Sequence, residues 1–250
     1  MENELRGKNA IVTGGRKGIG RQIVVQLAQQ GVNLWVSTRK PDSEFEADMR
    51  QLEEEYGVWI KPVYFDLLNY EEMEAALKGI IAEKKSIDIL VNNAGIAYGG
   101  MLVMQSMKMF HDTFDVNFFG PMFIIQYISK IMIRQKGGNI INIASVSGCE
   151  NYGGNISYGA SKAALIWATR ELSKELAPFG IRVNAVSPGT TETDMGKDRT
   201  KQQMDSIIER IAMKRPAQTD EIANAVVFLA SAQSSYITGQ NIIVDGGRLH

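Results

Sequence analysis

The chain predicts an α/β protein, one parallel sheet with helices on both faces. Two features carry that prediction. Apolar strand-like runs alternate with helical patterns from one end of the 250 residues to the other, which is the signature of strands joined by crossover helices. A glycine cluster, Gly14-Gly15-Arg16-Lys17-Gly18-Ile19-Gly20, falls where the first run gives way to the first helical pattern.

The elements follow in order. Residues 9–13 read as a strand, and 19–30 as a helix. Residues 32–37 form a second strand, followed by a charged helix over 43–56. A third strand spans 58–65 and a helix 70–84. The short run 87–91, apolar except for Asp88, is a fourth strand, ending before Asn92-Asn93-Ala94-Gly95. One long helix is expected over 107–134. Its part from 118 to 133 is apolar nearly all round, which predicts burial on more than one side and a subunit interface. Residues 139–144 are a fifth strand, 158–177 a helix and 181–186 a sixth strand. After a loop, 219–230 is helical and 241–244 the last strand. With no linker, low-complexity segment or repeat, residues 1–250 read as one domain.

Composition narrows the function classes. A net charge of −1 leaves no global basic field for nucleic acid or an anionic membrane. The start of the chain, Met1 to Lys8, is polar and lacks the apolar core of a signal peptide. No run approaches eighteen uninterrupted apolar residues, so no spanning helix is expected. The single Cys149 excludes an intramolecular disulfide and fits a reducing cytoplasm. Cys149 with His111 and His250 gives no metal-ligand motif.

Three constellations carry chemistry. The glycine loop lets a pyrophosphate approach the backbone, and the helix after it points free N–H groups and a positive dipole end at that anion. At the end of the second strand the residues are Val36-Ser37-Thr38-Arg39. A site for NAD usually carries a carboxylate there; here no acid is expected to repel a ribose 2′-phosphate. Arg39 can grip one, helped by Arg16 and Lys17, so NADP(H) is the expected cofactor. The third constellation is Ser145 with Tyr158 and Lys162. Tyr158 and Lys162, four apart on a helix, project from one face. An ammonium beside a phenol favours the phenolate, which makes Tyr158 a candidate acid/base on a carbonyl oxygen. Cys149 is expected to be a small apolar filler in the same loop, and Tyr152 to line the cleft.

These motifs, with Ser187-Pro188-Gly189 and the closing Tyr236-Ile237-Thr238-Gly239-Gln240 and Val244-Asp245-Gly246-Gly247, resemble the short-chain dehydrogenase/reductase family over nearly the whole chain. The resemblance implies a Rossmann-like, doubly wound, seven-stranded sheet and a homodimer or homotetramer. It implies that Tyr158 is the proton donor, that Lys162 keeps the phenol acidic and binds the nicotinamide ribose, and that Ser145 holds the substrate oxygen. By resemblance, Asn117 helps hold a water joining Lys162 to solvent. Gly14, Arg16, Lys17, Gly18, Ile19, Gly20, Thr38 and Arg39 would meet the phosphates and adenosine ribose. Asp66 with Leu67 would face the adenine, and Asn93, Ala94 and Gly95 would line the cleft. Pro188, Gly189, Thr191 and Thr193 would sit beside the nicotinamide, and the segment of about 190–215 would cover the substrate.

Among subfamilies the chain looks most like the 3-oxoacyl-(acyl-carrier-protein) reductases. Those often present two basic residues to the acidic carrier. Lys136 matches the first position, but Phe179 stands at the second, which weakens the carrier reading. Secondary-alcohol, sugar and secondary-metabolite dehydrogenases share the same backbone motifs. The covering segment mixes Met195, Met204, Ile207 and Ile208 with Lys197, Arg199 and Lys201, and names no substrate. A reading of another class is an NADP(H)-binding sensor or scaffold with little turnover.

Overall fold

The structure is a computed structural model that describes residues 4–150, 153–193 and 200–248. Its seven strands are β1 (Asn9–Thr13), β2 (Asn33–Thr38), β3 (Ile60–Tyr64), β4 (Ile89–Asn92), β5 (Gly138–Ile143), β6 (Ile181–Pro188) and β7 (Asn241–Val244). They form one sheet in the order β3-β2-β1-β4-β5-β6-β7, and every pairing is parallel. The helices are α1 (Gly18–Gln29), α2 (Ser43–Tyr56), α3 (Tyr70–Ala82), α4 (Met107–Phe114), α5 (Gly120–Gln135), α6 (Ile156–Leu176), α7 (Lys201–Glu209) and α8 (Thr219–Ala230).

Strand alternation builds the two faces. Along β1, Ala10 and Val12 point to one side and Ile11 to the other. The first side packs Leu34 and Val36 with Ile23, Val24 and Leu27 of α1, Phe45 and Met49 of α2, and Ile222 and Val226 of α8. The second packs Trp35, Leu90 and Ile140 with Met73 and Leu77 of α3 and Ile124, Ile128 and Met132 of α5. A parallel sheet covered on both faces explains why β1 and β4 are apolar or buried at every position.

Strand order turns back between β1 and β4. The chain runs outward to β2 and β3, returns, and continues on the far side of β1. At such a switch point the two neighbouring loops part, leaving a crevice at the carboxyl ends of the strands where ligands bind in open α/β sheets. The glycine loop leaves β1 there, and Asn93-Ala94-Gly95 leaves β4.

The structure departs from the expected single helix over 107–134. A π-helical turn, Asp115–Phe119, separates α4 from α5. Pro121 in the first turn of α5 has no N–H to give and so breaks the α-helical ladder. Nor is the apolar stretch buried all round. Gly120, Pro121, Ile124, Ile125, Ile128 and Met132 form the buried face, whereas Phe119 is 47% exposed. Met107–Gln135 is long and apolar enough by composition to cross a membrane, but its inner face belongs to the core.

Candidate active site

Side-chain hydrogen bonds tie the two loops of the switch point together. Thr13 Oγ1 accepts from the backbone N–H groups of Asn93 at 3.0 Å and Ala94 at 3.1 Å. Asn93 Nδ2 donates to the carbonyls of Thr13 at 2.9 Å and Gly14 at 3.1 Å. Gly14 has φ +68°, and a Cβ there would lie 2.9 Å from Ala94 Cα, so this residue needs both the left-handed backbone and the missing side chain. Asn93 therefore shapes the glycine loop. Thr13 was not anticipated as a site residue, although its place at the end of β1 was the available signal.

Ser145 follows β5 and caps a short 3₁₀ turn, Val146–Gly148. Its Oγ accepts from Ser147 N at 3.2 Å, and the residue is 8% exposed. Tyr158, near the start of α6, is half-buried. Lys162, one turn on, is 3% exposed and donates to the Ile143 carbonyl at 2.8 Å. Its Nζ lies 5.9 Å from the centre of the Tyr158 ring. Burial holds the Lys162 ammonium down to a pKa of about 8.

Asn117 sits in the π turn with no exposed surface. Its Oδ1 accepts from Ile96 N at 2.9 Å, and its Nδ2 donates to Ile96 O at 2.9 Å and Ser161 Oγ at 3.0 Å. Ser161 Oγ in turn donates to the Tyr158 carbonyl at 2.7 Å. A Cβ on Gly95 would lie 3.2 Å from Asn117 Oδ1 and 3.4 Å from Lys162 Nζ, so all three residues meet at one point beside β4. Ser161 and Ile96 were not singled out in the sequence; Ser161, between Tyr158 and Lys162, was the more legible of the two.

The outer residues fall into two groups. Lys17, Gly18, Thr191 and Thr193 line a cleft of about 680 Å³ with Arg21, Met204 and Pro216. Gly189 N donates to Val244 O at 2.9 Å, anchoring the turn after Pro188, the last residue of β6. Thr191 Oγ1 donates to Gly189 O at 3.1 Å. A Cβ on Gly18 would lie 3.4 Å from Thr193, which brings that loop over the glycine turn. Arg39 and Asp66 line a second cleft of about 650 Å³ at the ends of β2 and β3, together with Lys40, Tyr64 and Glu72. Thr38, the last residue of β2, is half-buried.

The packing of Arg16, Leu67 and Ile19 bears on how each could act, and Cys149 departs from expectation. Arg16 is not held clear of carboxylates: it pairs with Asp42, the N-cap residue of α2. Asp42, four residues beyond Thr38, brings a carboxylate to the glycine loop. Leu67 is 7% exposed, with its side chain in the core near Gly120. Ile19 also packs on the core, at the start of α1. Cys149 is exposed and accepts from Asn241 Nδ2 at 3.2 Å, so it is no apolar filler. Tyr152, Met195, Lys197, Arg199 and His250 lie outside the described residues. Among the described residues no group of His, Cys, Asp or Glu could hold a metal.

A family model described as enoyl-(acyl carrier protein) reductase matches residues 14–248. The chain is 38% identical over 247 residues to a 3-oxoacyl-(acyl-carrier-protein) reductase FabG of Aquifex aeolicus, covering 99% of each chain. A protein of the same description from Staphylococcus epidermidis is 37% identical over 240 residues, 96% of this chain and 98% of that one. Among solved structures, a gluconate 5-dehydrogenase from Burkholderia cenocepacia in complex with NADP and tartrate superposes with a TM-score of 0.92 at 32% identity, over 98% of this chain and 96% of that one.

Proposed function

The chain belongs to the short-chain dehydrogenase/reductase family of oxidoreductases, and on that premise we propose that it reduces a ketone or aldehyde carbonyl reversibly to an alcohol, with NADPH as the cofactor. The observation that carries this reading is the meeting of Asn117, Lys162 and Gly95 beside Tyr158, at the mouth of the crevice between β1 and β4. A side chain at Gly14 would strike the loop after β4, and the N-terminus of α1 opens beside it, so this cradle fits a dinucleotide pyrophosphate. When bound, the nicotinamide supplies the hydride.

The protein's own residues handle the oxygen. Ser145 donates a hydrogen bond where negative charge develops on it. Tyr158 delivers the proton, and Lys162 favours its phenolate and binds the nicotinamide ribose. Asn117 holds a water through which Lys162 exchanges protons with solvent. Two O–H donors assigned to one oxygen suit a carbonyl better than the carbon–carbon double bond of an enoyl substrate.

Gly14, Lys17, Gly18, Ile19 and Gly20 face the pyrophosphate through the loop backbone and the start of α1. Thr38 and Arg39 receive the adenosine ribose and Asp66 the adenine. The Leu67 side chain is excluded, leaving its backbone for that role. Ala94 and Gly95 line the wall of the crevice, and Pro188, Gly189, Thr191 and Thr193 flank the nicotinamide. The segment of about 190–215 covers the substrate, consistent with an α7 in which Met204, Ile207 and Ile208 are only half-buried. The reading includes a cytoplasmic homodimer or homotetramer, supported by Phe119 and by Trp167 of α6, 65% exposed. A monomeric mass in sedimentation would remove that part.

The substrate belongs with the 3-oxoacyl thioesters or with secondary alcohols and sugar acids. Both are represented among the relatives. Lys136 and Phe179 lie at neighbouring turns, since a Cβ on Gly180 would be 2.8 Å from the Lys136 carbonyl. Phe179 is 44% exposed, which offers an acidic carrier only half a basic patch. A panel of simple ketones, keto acids, sugar ketones and 3-oxoacyl thioesters, followed by NADPH absorbance, tests the reading. Oxidation of NADPH by one class supports it and names the class. Tight NADPH binding with no turnover on any member favours a sensor.

A further inference from the structure

The ion pair between Arg16 and Asp42 bears on how the site discriminates between cofactors. Arg16 leaves the glycine loop and meets the carboxylate of Asp42 at the N-terminus of α2. Asp42 is fixed there. Its Oδ1 accepts from the backbone N–H groups of Glu44 at 3.0 Å and Phe45 at 3.1 Å, which leaves Oδ2 to hold the guanidinium. The positive end of the α2 dipole stabilises that carboxylate further. Six residues on, Asp48 takes Arg21 of α1 in a two-point contact at 2.7 and 2.8 Å.

Acids of α2 therefore engage two of the cations that the β1–α1 turn brings toward β2. Arg39 is exposed and makes no ion pair among the described residues. On the proposed reading, the ribose 2′-phosphate enters beside Thr38 and Arg39, between Arg16 and the N-terminus of α2. A guanidinium has donors for more than one acceptor, but its attraction to the phosphate is reduced while Asp42 holds it, and the phosphate also meets the Asp42 charge.

We infer that Asp42 sets the cofactor preference of this protein, by competing with the ribose 2′-phosphate for Arg16. This rests on the nicotinamide reading and goes beyond it: the preference for NADP(H) over NAD(H) is held below what Arg16 and Arg39 together would give. Asp42 acts here as a positioning residue, through Arg16.

The test is calorimetric titration of NADP⁺ and of NAD⁺, without substrate, into the full-length protein and its Asp42→Asn, Arg16→Ala and doubly substituted variants. Asn caps a helix as well as Asp, so α2 keeps its start; Asp42→Ser provides a second capping variant. The expected result is NADP⁺ binding about two- to fivefold tighter in Asp42→Asn, the range an exposed ion pair commands. NAD⁺ binding changes less, and the gain shrinks as salt is raised. In the Arg16→Ala background the Asp42→Asn gain shrinks to the part that comes from direct repulsion between the phosphate and the carboxylate. An unchanged or lowered NADP⁺/NAD⁺ affinity ratio in both capping variants overturns the inference. So does an equal gain without Arg16, which would mark a bulk charge effect. If the unsubstituted protein binds neither dinucleotide, the nicotinamide reading itself falls.

Discussion

Lys162 is the residue on which the most physics converges. It is a cation with almost no exposed surface, given one carbonyl partner and placed next to a phenol. Burial lowers its pKa from the ordinary 10.5 to about 8. Between those two values the unfolded chain binds the proton and the folded chain does not. Folding stability attributable to this group therefore rises as pH goes from about 8 to about 10.5, and below that window the cost of burying the charge is constant. Replacing Lys162 by Met removes the titration. The stability of the unsubstituted protein relative to Lys162→Met should climb by about 3 kcal/mol across the window, measured by urea denaturation without cofactor. A difference that stays flat would show that the amine is solvated. The pair Tyr158 and Lys162 was legible in the sequence because helical spacing alone puts them on one face. Ile143, which holds Lys162, and Ile96, which holds Asn117, were not, because both act through backbone groups; Ser161, bonded to Tyr158 and Asn117, was signalled only by its place between Tyr158 and Lys162.

At the scale of elements, turns decide where the side chains stand. The turn that carries Ser145 rests on α6 through Gly148. A Cβ there would lie 2.7 Å from Ala163 N and from Lys162 C, both backbone atoms that no rotamer change can move. Gly148→Ala should thus lever Ser145 away from Tyr158. The expected cost is about 1–3 kcal/mol of stability together with a fall in kcat, read by thermal melting and steady-state rates. Unchanged stability and turnover would mean that the turn is free to shift. Strand and helix identities were legible because their periods differ, and four spans, Asn9–Thr13, Ser43–Tyr56, Thr219–Ala230 and Asn241–Val244, coincide with the expected bounds. The π turn was missed because the apolar pattern runs straight through Asp115–Phe119. Pro121 was the signal, and its effect is to widen the helix where Asn117 reaches Ile96. Asp42 was missed for a related reason. Its sequence position says helix cap, and only the packing of α2 against the glycine loop makes it a partner of Arg16.

The whole molecule places the chemistry through its topology. Reversal of strand order between β1 and β4 opens the crevice. The switch-point loops, the Ser145 turn, the start of α6 and the turn after β6 then all leave the same edge of the sheet. That arrangement follows from the alternation of elements; reaction class was readable from Ser145, Tyr158 and Lys162 and from the family resemblance their motifs carry. Substrate class was not, because it depends on side chains of surface loops and of α7, where apolar and charged residues mix and packing imposes little. The central claim is that Tyr158 protonates a carbonyl oxygen in a site that binds the cofactor independently of it. The direct measurement pairs NADPH oxidation with NADPH titration for the unsubstituted protein and Tyr158→Phe, on a carbonyl substrate that the former reduces. Turnover should fall by about 100-fold or more while the NADPH dissociation constant stays within about twofold. Turnover close to that of the unsubstituted protein would contradict that claim.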